Sequence, residues 1–373
     1  MQNPFVFGVA TDEEHFTDRT EDTHRLLQNF RHGVNSMIIS PRRWGKTSLV
    51  HKVSRLAQSP TLKVVNIDIF ACRNREDFYH LFATEVIKQS ASKWEEWAEN
   101  AKNFLVSLMP KISFGVDPLT DFSIALDFSN KRLNDEVLHL PERIATQKNI
   151  KIVICIDEFQ QIAEFHESLE FQKQLRSVWQ LQKNVSYCLY GSKKHIMSEL
   201  FSKQNSPFYQ FGDMFFLEKI SSKDWIPFIC DRFRTTNKTI NPEFAEQICR
   251  IADNHSSYVQ QLSWNVWVRT KESVNQENID EALEQLIKQN SMLYYQYTEG
   301  LTAYQINYLK AVADGIQDTW TATETLKKYN LGTSGNIKRL KDALQKKGLI
   351  DTEGANVYFN DPIFKIWFMR NIS

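Results

Sequence analysis

No stretch of these 373 residues reaches the run of about 18 apolar residues that a membrane-spanning helix needs. Met1-Gln2-Asn3-Pro4-Phe5 lacks the basic and then apolar order of an export signal. Neither membrane insertion nor secretion is therefore expected. Cysteine is sparse: Cys72, Cys155, Cys188, Cys230 and Cys249 are odd in number, scattered, and form no Cys-x-x-Cys pair. That excludes a disulfide framework and a cysteine-built zinc site, and reads as buried thiols in a reducing, cytoplasmic setting. The nine histidines show no His-Glu-x-x-His or other ligand spacing. Charge of one sign is missing too. Lys plus Arg and Asp plus Glu both total 45, so no whole-molecule field favours nucleic acid or membrane, and any such binding must be local. Internal repeats and low-complexity segments are also absent. What remains is a chain long enough for two or three domains with real cores.

One loop stands out. Ser40-Pro41-Arg42-Arg43-Trp44-Gly45-Lys46-Thr47-Ser48 nearly matches the phosphate-binding pattern of Gly, four residues, then Gly-Lys-Ser/Thr; only the first glycine is missing, replaced by Ser40. The apolar run Met37-Ile38-Ile39 before it predicts a short buried strand, and the helical spacing of apolar residues after it predicts a helix. Unpaired N–H groups at a helix start, at the positive end of the macrodipole, suit the oxygens of a polyphosphate. In such a loop Gly45 lets the backbone approach, Lys46 bridges the β- and γ-phosphates, and the Thr47 hydroxyl is a Mg²⁺ ligand.

About a hundred residues on, Lys151-Ile152-Val153-Ile154-Cys155-Ile156-Asp157-Glu158-Phe159 reads as a central parallel strand buried on both faces and ending in two carboxylates. Behind a phosphate loop, such a pair supplies a Mg²⁺ partner, Asp157, and a general base for the attacking water, Glu158. The plainer alternative is that both merely cap the helix that follows.

Strand patterns at 62–70, 185–191 and 213–217 alternate with helical patterns at about 75–108, 133–147 and 169–181, which predicts a parallel sheet with helices on both faces. Residues 111–128 alternate polar and apolar around Asp117-Pro118-Leu119-Thr120-Asp121 and predict a β-hairpin insertion. From 220 to about 296 strand signals give way to helix-period segments at 224–233, 242–252, 258–268 and 278–289, with Trp225, Trp264 and Trp267 read as core.

The loop, the acidic strand, the Tyr190-Gly191-Ser192 strand end and the helical region together resemble prokaryotic AAA+ ATPases of the STAND-like "archaeal ATPase" family, over nearly the whole chain. The resemblance implies an α/β P-loop core with a parallel sheet (1–219), an all-helical lid (220–298) and a C-terminal winged-helix domain (299–373). By resemblance, Asn3-Pro4-Phe5 and Phe16-Thr17-Asp18-Arg19 match segments that lie against the adenine, which makes Arg19 a nucleotide-binding candidate. Ser192 matches the sensor residue near the γ-phosphate and the attacking water. The family's Gly-His-Pro-Tyr-Tyr lid turn reads Asn254-His255-Ser256-Ser257-Tyr258 here, so a base-packing proline is lost, while His255 and Tyr258 remain as candidates to stack on the base or to pack the lid. Thr20 stands where many relatives have Glu. An arginine that relatives carry near 206–211 is replaced by Gln210 or Phe211. An arginine that stabilises the transition state would then come from Arg42, Arg43 or Arg176, or from a partner or second copy, and hydrolysis by the isolated chain is expected to be slow. The plain reading of Arg176 is a solvated helix face.

The C-terminal segment predicts helices at 302–314, at 321–329 (with Thr321 as cap and Glu324 three residues on) and at 334–347, followed by a hairpin at 349–359. That is the winged-helix order. In a DNA-binding version the third helix enters the major groove, which would put Ser334, Asn336, Lys338, Arg339 and Lys341 at DNA, with Lys346 and Lys347 near phosphates. Residues 301–373 hold ten Lys or Arg against seven Asp or Glu, a bias mild enough to leave a protein partner equally open. Two functions are in play: an ATP- and Mg²⁺-dependent ATPase switch that reports to DNA or a protein through the winged helix, and a nonenzymatic DNA-binding regulator holding nucleotide as structural support. A small-molecule kinase fits less well, because no acceptor-substrate domain is evident.

Overall fold

The computed structural model describes residues 3–8, 16–90, 113–114, 124–125, 131–354 and 356–372. The chain divides into two compact units, one of residues 12–218 and one that joins the first eleven residues to 219–373.

In the first unit, strands β1 (Ser36–Ile39), β2 (Leu62–Asp68), β5 (Lys151–Asp157), β6 (Val185–Gly191) and β7 (Asp213–Phe216) form one parallel sheet in the order β2-β5-β6-β1-β7. Side chains alternate between faces along a strand. In β5, Ile152, Ile154 and Ile156 enter one core, while Val153 and Cys155 enter the other. That two-sided burial explains the unbroken apolar run. Helices α1 (Thr20–His32) and α2 (Lys46–Ala57) cover one face through Leu26, Phe30, Leu49 and Val53. Helices α3 (Arg75–Ser90), α4 (Lys131–Lys148), α5 (Ser168–Trp179) and α6 (Lys194–Ser202) cover the other around Trp179, which stacks 4.0 Å from Tyr187. Cys155 and Cys188 face each other in register as buried free thiols. Between α3 and α4 the expected hairpin is represented by two short antiparallel strands, β3 (Ser113–Phe114) and β4 (Ile124–Ala125). The remainder of 111–128, like the predicted helix beyond Ser90, lies outside the described residues.

The second unit is helical from α7 (Ser222–Arg234) through α8 (Pro242–Ile251), α9 (Ser256–Arg269) and α10 (Gln276–Glu299). Phe5 is fully buried here, 5.7 Å from Phe233 and 6.4 Å from Phe228. Trp225 and Trp267 are buried, and Trp264 stacks on Trp267 at 5.1 Å, as core packing required. Then follow α11 (Ala303–Ala313), α12 (Thr323–Lys328), α13 (Ser334–Lys346), the hairpin β8 (Ile350–Glu353) and β9 (Asn356–Phe359), and α14 (Pro362–Asn371). A single apolar core runs through all of these; Tyr294 of α10 packs 5.3 Å from Phe364 and 5.6 Å from Trp367 of α14.

The predicted Thr321 cap is a correction. α12 begins at Thr323 with Ala322 at its N-cap and no side-chain cap bond. Residues 319–322 are instead drawn into a turn closed by Ala322 N–H donating to the Thr319 carbonyl, while Trp320 stacks 4.4 Å from Tyr308. Burying that indole outweighs an early helix start. The capping box sits one helix earlier, where Thr302 and Gln305 satisfy each other's backbone N–H groups.

Candidate functional site

The loop between β1 and α2 turns on two left-handed residues, Arg43 (φ 64°) and Gly45 (φ 94°). Gly45 is the N-cap of α2, so the free N–H groups and positive dipole end of that helix open onto the loop. Ser40 has no positive φ; it is fully buried and donates its hydroxyl to the Pro41 carbonyl at 3.1 Å. Position 40 therefore asks for a small side chain rather than for a glycine backbone. Pro41 and Trp44 are half-buried, Arg42 and Arg43 are exposed, and Ser48 is buried in the first turn of α2.

Because β5 lies second from β1, with β6 between them, the ends of all three strands converge beside this loop. The Thr47 hydroxyl donates to Asp157 Oδ2 at 2.8 Å, and Asp157 Oδ1 accepts the Glu158 N–H at 2.7 Å. Lys46 is 6 % exposed, and its Nζ lies 3.7 Å from Glu158 Oε1. The Ser192 hydroxyl, at the end of β6, donates to Glu158 Oε2 at 2.9 Å. Gln160 donates its side-chain amide to that same oxygen. Glu158 sits at φ 53°, heads a 3₁₀ turn (Phe159–Glu164) and makes no side-chain cap bond to it. The carboxylate is thus aimed across the sheet ends at Lys46 and Ser192, which rules out simple capping.

Burial pushes the Asp157 carboxyl above its usual range, with Lys46 and the Thr47 hydrogen bond working in the opposite direction. A buried carboxylate that its neighbours do not fully compensate, next to a hydroxyl, is a hard-oxygen set that suits Mg²⁺. Among the described residues no group of three or more His, Cys, Asp or Glu could hold a metal alone. Mg²⁺ fits this sparse set, since it is commonly held by one or two carboxylates together with phosphates and water.

Arg19 lies on the same side of the core. It is 6 % exposed and donates to the Trp44 carbonyl at 3.0 Å and to Asp22 at 3.3 Å, which ties the start of α1 to the phosphate loop. Its Nε has no hydrogen-bond partner, and burial lowers its pKa. Arg176 departs from the solvated reading: it is half-buried, with its guanidinium 4.8 Å from the centre of the Phe211 ring. Phe211, where an arginine was sought, belongs to the core.

In the other unit, His255 is the buried N-cap of α9 and lies 5.1 Å from the ring of Tyr258. The Tyr258 hydroxyl donates to Asp361, which also accepts from Tyr294 at 3.3 Å and caps α14 through the Ile363 and Phe364 N–H groups at 2.9 Å. On α13, Ser334, Lys338 and Arg339 are exposed and Lys341 is half-exposed. Gly335, Lys338, Arg339, Asp342 and Lys346 border a shallow open depression. Asn336 is differently placed: its amide donates inward to the Leu331 carbonyl at 3.1 Å, closing the turn before the helix. No helix among the described residues is long and apolar enough to cross a membrane.

Gln160 and Asp361 escaped the sequence reading, and Gly191 was read only as part of a strand end. The one available signal was the spacing Glu158-x-Gln160, which a left-handed Glu158 folds into a side-chain contact.

Comparison with known proteins agrees with this architecture. A family model described as a probable winged helix domain matches residues 292–370. A search of curated proteins gives no match. Among solved structures, the Walker-type ATPase PABY2304 of Pyrococcus abyssi is similar over 98 % of this chain and 99 % of its own, with a TM-score of 0.69 at 16 % identity. The Aeropyrum pernix ORC2 protein, in its ADPNP–ADP complexes, is similar over 99 % of both chains, with a TM-score of 0.59 at 13 % identity. Identities this low speak to fold alone. The fold is an α/β core with a five-stranded parallel sheet, followed by helical and C-terminal winged-helix parts, which agrees with the fold that the sequence resemblance implied.

Proposed function

We propose that this chain is a Mg²⁺-dependent ATPase that acts as a switch, with the winged helix as its output. The observation that carries the reading is the placement of Glu158: its carboxylate stands between Lys46, 3.7 Å from one oxygen, and Ser192, 2.9 Å from the other. A carboxylate needed only for folding would cap its own helix. In this reading the N–H groups of the loop and first turn of α2 hold the ATP phosphates, Lys46 supplies positive charge to the β- and γ-phosphates, and Arg19 keeps the loop in shape through Trp44. Mg²⁺ held by Thr47 and Asp157 would offset the charge that develops on the phosphates. Glu158 accepts a proton from the attacking water, and Ser192 orients it. His255 and Tyr258 are both buried, and the Tyr258 hydroxyl is committed to Asp361, which favours packing of the helical part over stacking on the base. No arginine of the loop is held toward a reacting phosphate by a fixed partner, which supports slow turnover by the chain alone and a stimulating arginine from a protein partner or second copy.

For the output, the exposed Lys338 and Arg339 with the nearby Ser334 and Lys341 favour contact with duplex DNA through phosphates. Inward use of Asn336 removes one candidate for base reading. The test is steady-state ATP turnover by wild type and Glu158→Gln, each with and without duplex DNA. Activity in wild type and its loss in Glu158→Gln are expected, with any DNA stimulation fading near 200 mM salt as phosphate contacts are screened. Equal turnover by both proteins would leave the nonenzymatic regulator as the better reading.

A further inference from the structure

We infer that Gln160 is a positioning residue for the proposed general base, and that Gly191 is glycine in order to admit it. The inference rests on the reading of Glu158 as that base. Gln160 is 2 % exposed, and its Nε2 donates to Glu158 Oε2. Its own Oε1 is buried without a hydrogen-bond partner. A glutamine kept only to fill space would do better as methionine, which leaves no orphaned acceptor. The amide orientation follows from its neighbour: the opposite flip would set a carbonyl oxygen against a carboxylate.

The space for this amide comes from the last residue of β6. A Cβ built on Gly191 would lie 1.8 Å from Gln160 Oε1 and 2.9 Å from Met197 Sδ. Gly191 is not among the glycines with positive φ, so its backbone would accept alanine; the main obstacle is the glutamine, with the end of the Met197 side chain a lesser one.

The consequence concerns which oxygen works. Oε2 of Glu158 receives two donors, Gln160 Nε2 and Ser192 Oγ, whereas among the described residues Oε1 faces Lys46. Two donors on one oxygen stop the carboxylate from rotating about its terminal bond. They leave Oε1 as the atom that takes the proton once Lys46 engages phosphate. Ser192 alone would let the carboxylate swing about a single anchor.

The experiment compares wild type, Gln160→Met, Gln160→Ala, Gly191→Ala and the double variant Gly191→Ala/Gln160→Ala, with Glu158→Gln as reference. Gln160→Met should lower kcat by about 10- to 100-fold, the scale of a small misplacement of a reacting group, with KM for ATP and the thermal midpoint little changed. Gly191→Ala should lower kcat similarly by displacing the amide. In the double variant the glutamine side chain is gone and only the flexible end of Met197 has to shift, so the added methyl should cause little loss beyond Gln160→Ala alone. If wild type turns over faster than Glu158→Gln while Gln160→Met matches wild type, the inference about Gln160 is overturned and the base assignment stands. Equal losses in kcat and in ATP affinity would mark Gln160 as packing and overturn it too. If wild type is no faster than Glu158→Gln, the base assignment itself falls and takes this inference with it.

Discussion

Lys46 and Lys338 begin as the same side chain and end in opposite surroundings. Lys46 is 6 % exposed at the phosphate end of the core, 3.7 Å from a carboxylate that is itself held by Ser192 and Gln160. Lys338, beside Arg339 on the outer face of α13, stands exposed. The first arrangement is preorganised: burial strengthens its electrostatics, and each polar atom limits where the next can go. The second has charge without fixed geometry, which suits a repetitive anionic surface such as a nucleic-acid backbone. Chemistry is expected from the first region, and association that responds to salt from the second.

The largest effect should come from breaking the buried side. Lys46→Ala is expected to weaken Mg·ATP binding by about 2–5 kcal/mol, because it removes the charge that meets the phosphates and strands Glu158. Equilibrium titration with a fluorescent ATP analogue measures this, and an unchanged Kd would break the comparison at its stronger end. A smaller effect is expected on α13. Lys338→Ala or Arg339→Ala should weaken duplex binding nearly uniformly across sequences and lower the slope of log K against log salt by about 1 each, with ATP turnover in the absence of DNA unaltered. A loss confined to one DNA sequence would mean base reading instead.

The smallest effect belongs to a surface pair that is neither. Asp213, at the start of β7, receives Arg25 Nε at 2.9 Å and Asn29 Nδ2 at 2.8 Å. The Arg25 hydrogen bond holds the Asp213 carboxyl below its usual value, against a smaller opposing effect of burial. Because the folded pKa lies below the unfolded one, the pair stabilises the fold above the ordinary carboxylate range, and that contribution is lost as pH falls through the folded value. The Arg25 side chain is 46 % exposed, so solvent screening limits the gain. Asp213→Asn should cost only about 0.2–1 kcal/mol at neutral pH in denaturant melts, less in high salt, and nothing measurable in strong acid.

Much of the core was legible because its signals are local. β6 occupies the predicted 185–191, and the β5 run ends at the carboxylates as expected, since two-sided burial leaves a continuous apolar stretch. Thr47, Asp157, Lys46, Glu158 and Ser192 come together because strand order brings the ends of β1, β5 and β6 side by side. Gln160 was hidden for a different reason. A glutamine two residues after a glutamate reads as a helix surface, and only the left-handed turn at Glu158 and the missing side chain at Gly191 bring it inward. Tyr258 and Asp361 are 103 residues apart in sequence, so no periodicity could join them. Arg176 misled in the plain reading because the Phe211 ring beneath it comes from a distant segment.

The central claim is that the buried network around Glu158 cleaves ATP. Single-turnover cleavage of γ-labelled ATP at saturating Mg²⁺ tests it most directly, because product release and partner stimulation drop out. Slow but measurable phosphate release is expected from wild type and a rate about 10²- to 10⁴-fold lower from Glu158→Gln, with equal amounts of ATP bound at the start. Equal cleavage rates in the two proteins would contradict it.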